Sequence, residues 1–136
     1  MTWEIYLTDE VNDWLDHLLE NDVASHRQVV SAVEALADAG PNRPLVDRIK
    51  ASALHNLKEL RPGSAGRSEI RILFMFDPWR SAIPLMAGDK AGNWSAWYRR
   101  AVPRAEELYA IYLKERADEE QGGGFPGEHE ALERHP

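Results

Sequence analysis

The sequence predicts an α+β domain in which helices cover one face of a twisted antiparallel sheet, in the order β-α-α-β-β-β-α. Three observations predict it. Residues 9–39 carry two apolar stripes at helical spacing, and residues 57–87 carry three apolar stretches separated by Pro, Gly and Asp turns. A last helical stripe then follows Pro103. Helices grouped before and after a run of strands fit an antiparallel sheet better than alternating parallel units.

Trp3 to Leu7 reads as a short first strand. Thr8 is placed to cap a helix, with Asp9 and Glu10 in the first turn, where carboxylates suit the helix dipole. Val11, Trp14, Leu15 and Leu18 follow as one stripe, and Asn21-Asp22 breaks it. Ser25 or Asp22 caps a second helix that buries Val29, Val30, Val33, Leu36 and Ala37, and Gly40-Pro41 stops it. Together the two form a helical hairpin.

Residues 41–55 read as a connection rich in Pro, Asn and basic side chains. Leu57–Arg61 is the second strand, residues 62–66 are a turn, and Glu69–Phe76 is the third strand. Asp77-Pro78 opens the next turn, and Ala82–Ala87 is the fourth strand. Pro84 places that strand at an edge or beside a bulge, because proline donates no ladder hydrogen bond. Pro103 fits the first turn of the last helix, with Ala105, Leu108, Tyr109 and Tyr112 inward. Residues 1–116 then form one domain, and the acidic, Gly-rich residues 117–136 read as a disordered tail.

Composition narrows the function classes. The chain has 136 residues, is 43% hydrophobic and contains no cysteine, which excludes disulfides and cysteine metal sites. No His/Asp/Glu cluster stands at metal-ligand spacing, so no metal or other cofactor is expected. The start of the chain lacks a basic segment followed by an apolar run, and the apolar stretch Ile72–Phe76 is too short to span a bilayer. A cytoplasmic protein with no membrane partner is expected. The net charge is −7, but residues 39–113 carry twelve basic and seven acidic side chains between two acidic flanks.

Strand parity sorts the basic residues. Ile70, Ile72, Phe74 and Phe76 share one face of the third strand, and Arg71, Leu73 and Met75 share the other. Leu60 joins the first set, with Ile83, Leu85 and Ala87 from the fourth strand. Glu59, Arg61, Arg71 and Lys90 then fall on the face expected to lack helices. Cations around one carboxylate can bind a phosphodiester and supply a general base beside charge-stabilising donors. The same residues also suit the polar outer face of any antiparallel sheet, where Glu59 pairs with an arginine across strands. Lys58 has core parity and reaches solvent along its stem. Trp94 and Tyr98 suit either stacking on an unpaired base or packing at a helix edge. His55 suits a solvated loop or proton transfer.

The run Asn56-Leu57-Lys58-Glu59-Leu60-Arg61 resembles the Leu-x-Glu-Leu-Arg strand of phage-derived HigB-like toxins in the RelE/ParE superfamily. Glu69 to Phe76 is similar to the arginine-bearing strand that follows it, and Gly88 to Trp94 with Trp97-Tyr98 resembles the segment leading into the last helix. The resemblance covers about residues 3–113. It implies a RelE-like fold and the toxin of a type II toxin–antitoxin system: a metal-independent endoribonuclease that cuts mRNA, commonly on the ribosome, and is silenced by a helix-turn-helix antitoxin. It further implies that Arg71 contacts the scissile phosphate, with Arg61 as a second phosphate clamp, Lys90 as a basic residue at the strand end and Glu59 as candidate base. Tyr98, Trp94 and Lys58 are the RNA-binding candidates.

Two other functions compete with this reading. ParE-type relatives bind DNA gyrase and lack the nuclease residues, and a non-catalytic module would use the same face only for binding. The antitoxin contact is expected on the acidic hairpin Asp9–Ala39 or on the basic sheet face.

Overall fold

A computed structural model of the chain describes residues 3–40, 46–48, 57–63, 69–89 and 94–122. Their order is β1 (Glu4–Ile5), α1 (Asp9–Asn21), α2 (Val23–Ala39), β2 (Val46–Arg48), β3 (Lys58–Leu60), β4 (Ile70–Phe76), β5 (Ser81–Asp89) and α3 (Trp94–Gly122). The fold is α+β, three helices around a mixed sheet of strand order β1-β5-β4-β3-β2.

The helical hairpin forms where its capping residues predict. Thr8 Oγ1 accepts a hydrogen bond from the Val11 N–H and donates to the Leu85 carbonyl, so one hydroxyl caps α1 and ties it to β5. Asp22 rather than Ser25 caps α2, accepting from both the N–H and the hydroxyl of Ser25. Gly40 ends α2 at φ 60°, against the indole of Trp3, where a Cβ would overlap the ring.

Three expectations about the sheet are corrected. First, it is not antiparallel throughout: β1 runs parallel to β5, pairing Glu4 with Ser81 and Ile5 with Ala82. Hairpin turns encode antiparallel neighbours locally, whereas this pairing joins segments far apart in sequence and leaves no turn signature. Second, the segment read as a connection contributes β2, which pairs antiparallel with β3.

Third, the helices do not share one face. Ile70, Ile72 and Phe74 pack with Val29, Ala32 and Leu36 of α2, while Leu73 and Met75 pack with Trp97, Ala101, Ala105 and Leu108 of α3. β4 is apolar on both sides because it is buried on both, as the central strand of a covered sheet must be. A bulge adjoins Pro84: Leu73 pairs with Met86 but Phe74 pairs with Pro84, so Leu85 is the extra residue. It places Ile83, Leu85 and Met86 on the α3 side and Ala82 and Ala87 on the α2 side, so Ala87 stays with Ile70, Ile72 and Phe74 as expected, while Ile83 and Leu85, expected on that face, lie on the other.

α3 starts at Trp94, not at Pro103, and Pro103 lies inside it on an exposed flank. The stripe Trp94, Trp97, Tyr98, Ala101, Val102, Ala105 runs through the proline at helical spacing. Burial of Trp97, Ala101, Val102 and Ala105 offsets the one backbone hydrogen bond the ring removes. The helix continues to Gly122, so residues 117–122, read from sequence as tail, are helical, and residues 123–136 lie outside the described residues. Among the described residues no helix is long and apolar enough to cross a membrane.

Candidate active site

Glu59 is the centre of the site. β3 pairs it with Leu73, which turns its side chain toward α3, and it is 1% exposed. Arg61, two residues on and therefore of the same parity, donates from Nε to Glu59 Oε1 at 2.9 Å. Arg71 Nε lies 3.5 Å from the same oxygen, an ion pair without hydrogen-bond geometry, and its Nη1 donates to the Ile70 carbonyl. Continuing the β3–β4 register by one step sets Arg61 opposite Arg71. Like charges opposite each other on neighbouring strands repel, and the carboxylate between them offsets this.

The other oxygen is taken from above. The hydroxyl of Tyr98, in the second turn of α3, donates to Glu59 Oε2. Burial first, then the adjacent carboxylate, raises the Tyr98 phenol well above its usual value, so it stays a protonated donor through the physiological range. Trp97 packs edge-on against Tyr98 at 5.0 Å between ring centres. Gly88, the β5 partner of Arg71, has no Cβ because the Trp97 indole fills that space. The result is a gradient of exposure: a buried anion, Arg71 with 15% of its side chain exposed, and Arg61 with 48% exposed.

The structure therefore brings Glu59, Arg61, Arg71 and Tyr98 together. It does not bring Lys58 to them, since Lys58 pairs with Phe74 and has the parity of the α2 side. Lys90 and His55 lie outside the described residues, as does the side chain of Trp94 at the start of α3. The bare sheet face expected from parity is covered by α3, and the site sits where the first turns of that helix cross β3 and β4. Sequence reasoning missed Tyr98 as partner of Glu59, and with it Trp97 and Gly88. The stripe from Trp94 to Ala105 carried the signal, and the reading of Pro103 as the first turn of the helix overruled it. Among the described residues no group of three or more His, Asp or Glu side chains could hold a metal ion.

Residues 13–110, which contain all four clustered side chains, match the family described as phage derived protein Gp49-like (DUF891). The chain belongs to that family. Two relatives come from Mycobacterium tuberculosis strain H37Rv. The first, named "Putative toxin HigB2", is 46% identical over 81% of this chain. The second, named "Putative toxin HigB3", is 44% identical over 88% of it. The match covers 54% of the first relative, so the chain spans about half of that protein, and 98% of the second. This Gp49-like chain is thus HigB-like in sequence. The family match starts after β1 and ends before Tyr112, so the cluster lies within the shared part and the last turns of α3 lie beyond it.

Proposed function

We propose that this Gp49-like chain is the toxin of a type II toxin–antitoxin system, a metal-independent endoribonuclease that cleaves mRNA on the ribosome in the cytoplasm and is held silent by a helix-turn-helix antitoxin. The observation that carries the reading is the pair of guanidiniums gathered on one buried carboxylate, Arg61 and Arg71 on Glu59. The HigB names of its relatives support the toxin part.

In this mechanism the ribose 2′-oxygen attacks the adjacent phosphorus and the bond to the 5′-oxygen breaks, leaving a 2′,3′-cyclic phosphate and a 5′-hydroxyl. Arg61 and Arg71 neutralise the charge that builds on the phosphorane oxygens, a task that suits the planar guanidinium fork. Glu59 is too buried to meet the ribose directly. It acts through Tyr98: the phenol takes the 2′-proton as its own proton passes to Glu59 Oε2. Lys90 is the candidate acid for the departing 5′-oxygen.

The test is primer extension on a reporter mRNA in a reconstituted translation reaction, with and without ribosomes, beside Arg71→Ala. New 5′ ends that need ribosomes and vanish in the variant are expected. Intact message at high protein concentration refutes the nuclease reading, and a halt in DNA synthesis with intact message favours gyrase binding.

A further inference from the structure

A groove of about 280 Å³ opens between the start of α1, β5 and the second half of α3. Its floor is apolar, built from Leu7, Ile83, Leu108 and the 46% exposed Ile111. Its rim is net acidic: among the described residues Asp9 and Glu10 stand on the α1 side and Glu115 and Glu119 on the α3 side, with Arg116 also lining it and Arg104 ion-paired to Glu10. At 1.5 Å per residue, Tyr112 in this groove is about 20 Å along α3 from Tyr98. The groove is therefore separate from the Glu59 cluster.

We propose that this groove docks a cationic amphipathic segment of the antitoxin, its apolar ridge on Leu108 and Ile111 and its lysines or arginines against the two acidic walls. The proposal rests on the toxin reading and adds where its antidote binds. Charge complementarity selects the occupant. RNA is repelled by the net negative charge of the rim, in which four carboxylates outnumber Arg104 and Arg116. The chain's own segment after Gly122 carries three glutamates and one arginine, the same sign as the rim. An apolar floor with a charged rim is the composition of a protein interface. Because the groove is remote from Arg71, this contact gives affinity and orientation, and does not by itself plug the site.

The probe is a fluorescein-labelled synthetic helix of leucine and lysine, with leucines at i, i+3, i+4 and i+7, titrated into the purified full chain and followed by anisotropy. Its glutamate-for-lysine counterpart is the first control. Glu115→Lys combined with Glu119→Lys is expected to weaken binding of the lysine helix roughly tenfold, and Ile111→Ala to weaken it several-fold. Asp16→Lys with Glu20→Lys makes the same charge change on the exposed side of α1 and is expected to leave affinity within about twofold. Equal losses in the two double variants mean general attraction to an acidic protein and overturn the proposal. So does unchanged affinity in Ile111→Ala, an exposed truncation that does not threaten folding. Binding needs no cleavage, so failure here is distinct from failure of the nuclease reading.

Discussion

Tyr98 on α3 donates its phenolic hydrogen to the buried carboxylate of Glu59 on β3, across 39 residues of chain. That bond joins the last helix to the arginine pair, so the same contact that seats α3 also orients the candidate catalytic groups.

Tyr98→Phe keeps the ring and removes the donor. Glu59 Oε2 then loses its partner in a buried setting, which costs about 1–2 kcal/mol of stability by denaturant midpoint. Cleavage is expected to fall far more than stability explains, by roughly a hundredfold, because proton transfer is worth about that much. A loss of stability with cleavage intact would confine Tyr98 to packing.

Glu59→Ala leaves Arg61 and Arg71 facing each other without the anion between them. Removing one member of a buried ion pair commonly costs about 3–5 kcal/mol, and the exposure of Arg61 reduces this to about 2 kcal/mol here. Adding Arg71→Met to Glu59→Ala is expected to recover part of that loss in thermal melts, since it removes the uncompensated charge. Additive losses would show that the three groups are not coupled.

Gly88→Ala forces a methyl into the Trp97 indole. Overpacking of this kind costs about 1–3 kcal/mol. The expected sign beyond stability is a change in tryptophan fluorescence, with lower cleavage as Tyr98 moves with its neighbour. An unchanged spectrum and full activity would mean that the helix adjusts without cost.

All four tyrosines, Tyr6, Tyr98, Tyr109 and Tyr112, are raised above 10.0, chiefly by burial and next by carboxylates at Glu4, Glu59 or Asp77. The folded state holds them neutral while the unfolded chain ionises near 10.0. A raised folded value gives stability that is fully present below the unfolded value and lost as pH rises toward the folded one. The tyrosine contribution to stability is therefore expected to be level below about pH 9 and to fall steeply above about pH 10. Tyrosinate absorbance should appear together with loss of the native circular dichroism. Early ionisation in the intact fold would contradict the buried hydroxyl pairs.

Several elements needed nothing but local sequence. Thr8 with Asp9 and Glu10 marks the start of α1, Gly40-Pro41 marks the end of α2, and the apolar run of β4 and the disturbance at Pro84 are equally plain. Each is set by backbone chemistry within a few residues, as is the parity that aligns Glu59 with Arg61. Tertiary structure alone decided which face each helix covers, that β1 runs parallel to β5, and that Tyr98 closes over Glu59. The physical reason is burial. β4 is apolar on both sides and could take a helix on either, so local pattern is silent until the chain is folded and each apolar surface has found a partner. Pro103 illustrates the point from the other side: taken alone it marks a helix start, yet burial of the stripe from Trp97 to Tyr112 carries α3 through it.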